Sequence, residues 1–412
     1  MPFSVICLVW QLLKRSRKTP VGYIYRFVWI HIPRYARDAD GYLFGGRLLS
    51  CCGRTGNYLM NENHPLVLVY TTSISDGFAN ASWRLTEKKI FFVGLLVISE
   101  AIFIPAAWGR LNTIHKFMVP VVVVLPYAFL YLSVNSKSAI TPENHLKYLR
   151  EYPYDNMIFH PNMTCRTCHH LKPARSKHCS LCKSCVARHD HHCVWLRTCV
   201  GRNNYHYFLG LLLFTSVLLF YGSFLGYSLM DGALQQAVSP ATTRHWSADM
   251  PMMVFLDLWL LALTDDLRIG AITLLSLLCA PLSSAMFFYH IYLIWSGMTT
   301  NESSKWGEWR DDISDGFAYI AKAKEVRPQH DIHPRDEDII WPKRSDQTLI
   351  YTNGQPPRVG YTFTDERNSI KQPSRYDAPI DTRWTQVQSL KEIVNIYDLG
   401  FLGNLWDSIL KR

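Results

Sequence analysis

Four apolar runs, residues 90–108, 117–134, 207–230 and 270–296, constrain this chain more than any other feature. Crossing a bilayer core of roughly 30 Å as a helix takes about 20 apolar residues, because backbone groups find no water there to bond to. Each run reaches or approaches that length. A soluble globule of 412 residues has little room to bury four such helices and their charged flanks. The mean hydropathy of −0.02 hides the pattern, since it averages apolar runs with strongly polar segments. The chain is therefore expected to be a polytopic α-helical membrane protein with four firm transmembrane helices.

Orientation follows from Lys and Arg, which accumulate on the cytosolic side of membrane proteins. The segment before the first run carries Lys14, Arg15, Arg17, Lys18, Arg84, Lys88 and Lys89 among others, whereas residues 231–268 hold only Arg244 and Arg268. Segment 135–206 and the tail after Ser296 are also basic. Four spans with both tails and the 135–206 loop in the cytosol satisfy the rule. The net charge of +10 then reads as basic surface beside anionic lipid, with no nucleic-acid partner.

The expected partition is an N-terminal segment 1–89, helices one and two at 90–134, a cytosolic loop domain 135–206, helices three and four at 207–296 around a lumenal loop 231–269, and a cytosolic tail 297–412. Residues 3–13, apolar and followed by a basic cluster, are a candidate fifth, weak span. A short apolar piece at 65–70 is parted from the first firm span by the polar stretch 71–89, an odd entry into a membrane. Residues 251–263, which include Asp257, read as an interfacial or lumenal helix. Scattered prolines make much of 325–384 look like linker.

Within the loop domain lies Cys165-x2-Cys168-x9-His178-Cys179-x2-Cys182-x2-Cys185-x4-Asp190-His191-His192-Cys193-x5-Cys199, holding seven of the eleven cysteines. Disulfides do not persist in the cytosol, so dense cysteines there are metal ligands or catalytic groups. Tetrahedral zinc takes four Cys or His ligands, often as Cys-x2-Cys pairs. Six cysteines and two histidines complete two closed Cys3His sites, which would fold a segment with almost no apolar core of its own. Cys193 is left over. It follows Asp190 and His191, the carboxylate and imidazole that activate a thiol nucleophile. Spacing alone leaves open which histidine binds metal and which acts as base.

This window, continuing Cys199-x4-Asn204-x3-Phe208, resembles the DHHC cysteine-rich domain of protein S-acyltransferases, the palmitoyltransferases. The resemblance implies one zinc at Cys165, Cys168, His178 and Cys185, and a second at Cys179, Cys182, His192 and Cys199. It makes Cys193 the acylated nucleophile, His191 the base and Asp190 its orienter. Thr299-Thr300-Asn301-Glu302 is similar to the family's TTxE motif, with Thr300 supporting the catalytic Asp. The segment Asn395-Ile396-Tyr397-Asp398-Leu399-Gly400, followed by Asn404, resembles the family's C-terminal segment, which packs back on the membrane domain. One motif departs: the usual Asp-Pro-Gly after the second span is replaced by Ile140-Thr141-Pro142-Glu143-Asn144-His145. With Lys172-Pro173-Ala174-Arg175-Ser176-Lys177, this points to the fungal branch that acylates SNAREs and other single-span proteins, at the endoplasmic reticulum or alternatively the Golgi.

The activity implied is transfer of a palmitoyl group from acyl-CoA to juxtamembrane cysteines of such proteins. Between Cys165 and Arg202 stand eight basic residues and one acid, Asp190. Of these, Lys172, Arg175 and Lys177 are the candidates for holding the phosphates of coenzyme A, while Arg188 and Arg197 would favour the thiolate. Glu100 and His290 lie within apolar runs, where polar groups serve helix–helix hydrogen bonds or an acyl pocket. A zinc-held interaction module or a catalytically silent scaffold is the competing reading; neither needs a spare thiol beside Asp190 and His191.

Overall fold

The computed structural model describes residues 77–237, 252–326, 338–363, 370–372 and 378–410. The chain divides into two compact units, Met1–Arg84 and Leu85–Arg412, and everything below concerns the second apart from the start of its first helix. The expected weak span at 3–13 and the apolar piece at 65–70 lie outside the described residues.

The helices are α1 (Gly77–Trp108), α2 (Thr113–Asn135), α3 (Tyr205–Ala237), α4 (Met252–Asp265) and α5 (Leu267–Trp295). Among the described residues α2, α3 and α5 are long and apolar enough to cross a membrane, while Val93–Trp108 in α1 forms a shorter apolar helix. The polar stretch that looked like an awkward membrane entry is, from Gly77 onward, the beginning of α1. Segment α2 is rich in Val, a residue that favours strands in water. It is helical here because only a helix pairs all its own backbone groups without solvent. Asn112 opens it by accepting from His115 N at 3.0 Å.

α3 is the central helix, packed along both α2 and α5. A Cβ added at Gly226 would lie 1.7 Å from Thr273 Oγ1, and one at Gly210 would lie 2.3 Å from the Phe129 ring. The close approach of α3 to both neighbours thus depends on missing side chains, as in many membrane helix pairs. Polar groups pair across the bundle: Tyr127 donates to Glu100 Oε2 (2.8 Å), Ser216 to Ser283 (2.9 Å), and Tyr205 meets His290 Nδ1 (3.1 Å). Helix–helix hydrogen bonding therefore engages both intramembrane polar residues noted in the sequence, with Glu100 Oε1 left without a partner among the described residues. The 251–263 segment is the start of α4, which packs on α3 and α5.

The expected linker is partly folded. Strands β5 (Ala318–Lys322), β6 (Gln347–Tyr351) and β7 (Thr385–Gln386) form an antiparallel sheet in the order β6-β5-β7. Leu349 and Ile350, consecutive and so on opposite faces, are both fully buried, one against Trp309 and Ile313, the other against Tyr319 and Trp384. Trp341 is buried beside Tyr152 and Tyr397, and its indole donates to Ile396 O. Proline content misled here because the pairing partners are far apart in sequence.

Candidate active site

The cysteine-rich segment folds as two hairpins of three-residue strands. β1 (Lys177–Cys179) pairs with β2 (Ser184–Val186), placing His178 opposite Cys185. β3 (His191–Cys193) pairs with β4 (Thr198–Val200), placing His192 opposite Cys199. Each Cys-x2-Cys pair is a tight turn in which the second Cys N–H donates to the first Sγ at 3.4 Å, for Cys165/Cys168 and Cys179/Cys182 alike. The residue that follows, His169 or Lys183, takes a left-handed φ of 56° or 53°. That conformation is costly for a side chain bearing a Cβ, and ligand convergence explains its presence.

Four potential ligand atoms converge at each of two points: Cys165, Cys168, His178 and Cys185 at one, Cys179, Cys182, His192 and Cys199 at the other. His178 Nδ1 lies 3.5, 3.3 and 3.8 Å from its three sulfurs. His192 Nδ1 lies 3.5, 3.4 and 3.6 Å from its own. A zinc tetrahedron with Zn–S near 2.3 Å and Zn–N near 2.0 Å has N–S edges of about 3.5 Å, so both donor sets fit that ion. Strand alternation explains the interleaving. Neighbours His178 and Cys179 point to opposite faces of β1 and serve different clusters.

The same alternation separates the two histidines of the Asp-His-His-Cys run. His192 faces its cluster, while His191 and Cys193 share the other face of β3. His191 Nδ1 donates to Asp190 Oδ2 at 2.7 Å, since a carboxylate only accepts. Its second nitrogen is left for Cys193, whose thiol is near enough to favour the charged ring. Asp190 is 1% exposed. It also accepts from Thr300 N at Oδ1 and from Thr300 Oγ1 at Oδ2, both at 2.8 Å. Thr300 is the first residue of α6 (Thr300–Ser314), so Asp190 sits on a helix N-terminus, where unpaired N–H groups favour negative charge. Burial alone would push its carboxyl up. The hydrogen bond and charge of His191, together with the Thr300 backbone, hold it well below the usual carboxylate range. Burial likewise works against the charged form of His191, but the bond to Asp190 and the neighbouring Cys193 outweigh it and push the imidazole up to about 10.

The α6 N-terminus is itself fixed. Thr299 and Glu302 close a capping box. Arg175 then grips both oxygens of Glu302, at 2.7 Å each, and donates to Gly297 O at 3.1 Å. This corrects one expectation. Arg175 is 1% exposed and fully engaged, so it is not available to the phosphates of coenzyme A. Lys177 is exposed, with Nζ donating to Asn301 Oδ1 at 2.9 Å, and Lys172 is half-buried. Arg188 is turned away from the thiol, onto Asp407 and Ser408. The basic window is thus not uniformly a solvated face: Arg175, Arg188 and Arg202 are buried on acids distant in sequence.

Cys193 is 7% exposed and belongs to an apolar cluster with Leu196, Tyr205, Phe208, Leu211 and Ile294, at the ends of α3 and α5. His290, which the sequence flagged only as an intramembrane polar residue, packs edge-on against Phe208 and near the His191 ring. Asn404, noted from the C-terminal segment, donates to Trp295 O at 3.2 Å and to Asp398 Oδ1 at 2.8 Å, and accepts from Leu399 N. Asp407, in the same segment, was missed: a lone acid near a chain end carries no local signal.

Comparison with known proteins finds relatives along most of the chain. Residues 158–307 match the family described as DHHC palmitoyltransferase. The palmitoyltransferase swf1 of Emericella nidulans is 49% identical over 391 residues, covering 94% of this chain and 89% of that protein. The palmitoyltransferase swf1 of Aspergillus fumigatus is 48% identical over 323 residues, covering 78% and 85%. The palmitoyltransferase SWF1 of Neurospora crassa is 35% identical over 409 residues, covering 97% and 87%.

Proposed function

Because the chain belongs to the DHHC palmitoyltransferase family and is a protein S-palmitoyltransferase, we propose that Cys193 is its acyl carrier, His191 its base and Asp190 the orienter of that base. The observation that carries the reading is the pairing on one strand face: a thiol in an apolar cluster, sharing its face of β3 with an imidazole that a buried carboxylate holds. Two structural zinc ions, bound at the two Cys3His clusters, supply folding energy to the hairpins. Both donor sets are complete with protein ligands, so no residue of the proton relay is shared with them.

In the first step the Cys193 proton rests on His191, and the thiolate attacks the carbonyl of palmitoyl-CoA. A new C–S bond forms, the old one breaks, and coenzyme A departs as thiol with the proton held by His191. In the second step His191 deprotonates a substrate cysteine, whose thiolate takes the acyl group and releases Cys193 for reprotonation. Lys172 and Lys177 remain the candidates for the CoA phosphates. The acyl chain would run among the helices. A cleft bordered by Phe103, Val119, Leu218 and Gly222 supports this. At about 1.5 Å rise per residue it lies roughly 15–20 Å along α3 from Phe208, about half of the ~30 Å hydrocarbon core.

The proposed topology has four spans, counting the shorter apolar part of α1 as the first, with both tails and residues 135–206 in the cytosol. The domain boundaries expected from the sequence go with it. Substrates are single-span membrane proteins such as SNAREs, met at the endoplasmic reticulum or alternatively the Golgi. Mass spectrometry of Cys193 after incubation with acyl-CoAs of graded length tests the carrier role. A hydroxylamine-sensitive label or turnover that survives Cys193→Ser would sink it.

A further inference from the structure

The C-terminal helix α7 (Phe401–Leu405), continued by a wider turn at Trp406–Leu410, carries apolar side chains on its outer face as well as its inner one. Leu405 and Ile409 pack inward on the Cys193 cluster beside buried Asn404, Asp407 and Ser408, each 3% exposed, while Phe401, Leu402 and Trp406 are 42%, 77% and 61% exposed. A helix in water turns its apolar stripe inward and its polar residues outward. An outer face this apolar over buried polar residues suits an apolar medium, and the membrane helices indicate where it is. Asn404 donates to the carbonyl of Trp295, the last residue of α5, and Asn395 donates to Ser296 O at 3.2 Å. Trp295 itself is 66% exposed. Aromatic residues at the end of a span mark the lipid–water interface, so α7 lies at that level.

The inward face carries charge. Asp407 accepts from Tyr152 Oη at 2.9 Å. It lies 3.5 Å from Arg188 Nε, 3.3 Å from Arg202 Nη1 and 4.0 Å from Arg175 Nη1. Arg202 also donates to the Asp407 carbonyl, and Arg188 to Ser408 Oγ at 2.7 Å. Arg175 has Glu302 as its own counter-ion, and Arg202 has Glu151 at 2.5 Å. Three buried guanidiniums therefore meet three carboxylates, and Asp407 is the one that neutralises Arg188. Arg188 stands two residues before Asp190. Arg202 follows the strand that pairs with His191 and Cys193. An uncompensated buried charge here would act directly on the β3–β4 hairpin.

We infer that the segment Phe401–Leu410 is a membrane-seated clamp. Its outer face, Phe401, Leu402 and Trp406, sits in the lipid interface beside Trp295, and its inner face delivers Asp407 as a positioning residue to the arginines that hold the catalytic hairpin. The clamp rests on the functional reading above only for its catalytic consequence; the lipid contact stands independently.

Both halves are tested in the full-length protein reconstituted in phosphatidylcholine nanodiscs. A benzoylphenylalanine photoprobe at Leu402 should form a phospholipid adduct, identified by mass spectrometry, while the same probe at Val359, an exposed tail position, should not. Absence of lipid adducts at Leu402 overturns the lipid contact. Asp407→Asn should slow acylation of Cys193 by roughly 10- to 100-fold, the scale of an ångström-level misplacement. Zinc content and KM for palmitoyl-CoA should stay unchanged. The double variant Arg188→Met/Asp407→Leu, which removes the ion pair together with its partner, should recover much of that rate. Wild-type acylation by Asp407→Asn, or a double variant no faster than the single, overturns the clamp. Failure of the wild-type protein to acylate Cys193 in the same assay would instead overturn the functional reading and leave the adduct result intact.

Discussion

Replacing Asp190 with Asn changes one charge and almost no volume, so it isolates what the carboxylate does. The backbone N–H of Thr300 points at Oδ1 at 2.8 Å and cannot turn away, so the amide oxygen of Asn must take that place. The amide nitrogen then occupies the Oδ2 position, facing Thr300 Oγ1 and His191 Nδ1. The threonine hydroxyl can rotate to accept. His191 can accept there only as the tautomer that carries its proton on the other nitrogen, the one needed to take the proton of Cys193. A wrong tautomer of this kind costs about 10²- to 10⁴-fold, or ~3–5 kcal/mol in the barrier. The assay is the single-turnover rate of Cys193 acylation by palmitoyl-CoA, with zinc content measured on the same sample.

The pH dependence is a second readout. In the wild-type protein His191 is raised to about 10, so its ion pair with Asp190 persists across the neutral range and the rate should be flat there. The stability this pair contributes is fully present below the ordinary histidine pKa of about 6.5. It is lost as pH rises through the raised value. For Asp190, whose carboxyl is lowered, the contribution is present above about 3.9 and disappears on further acidification. In Asp190→Asn the burial of His191 remains but its counter-charge is gone. Its pKa drops, and the residual rate should climb with pH toward the ordinary thiol range near 8.5. An Asp190→Asn protein with intact zinc, a rate within about threefold of wild type and a flat pH profile would refute the reasoning.

Three further outcomes follow from the geometry. His192→Ala should lower bound zinc, measured by elemental analysis, whereas His191→Ala should abolish acylation and keep both ions. Glu302→Ala strands the buried Arg175 guanidinium and should cost about 3–5 kcal/mol, seen as a lower unfolding temperature in detergent. Pairing that change with Arg175→Met should restore most of the loss. Trp341→Ala removes a buried indole from the tail cluster and should cost roughly 3–5 kcal/mol locally, exposing the tail to limited proteolysis at concentrations that spare the wild type.

Several features were legible in the sequence because they are local. Apolar length marks α2, α3 and α5, and Cys-x2-Cys spacing marks both ligand sets, since a tight turn brings two thiols together whatever surrounds it. The Asp-His-His-Cys run even held the answer to which histidine does what: a three-residue strand alternates its faces, so His192 parts from His191 and Cys193. Reading that required knowing the run to be a strand, and neighbouring turns gave no such signal.

The tertiary structure alone decided where charges go. In the sequence Arg175 reads as a candidate for the phosphates of coenzyme A, Arg188 as a support for the thiolate and Arg202 as one more residue of a basic run. Their acids, Glu302, Asp407 and Glu151, were too distant in sequence, or too ordinary, to be assigned to them. The proline-rich tail looked loose because β5, β6 and β7 find one another across long connections. A sequence reports what each segment can do by itself: cross a bilayer, turn tightly, bind a metal. Pairing between distant segments depends on which surfaces meet once those local choices are made, and in this protein that meeting places Thr300 on Asp190 and Asp407 on the arginines flanking the catalytic hairpin.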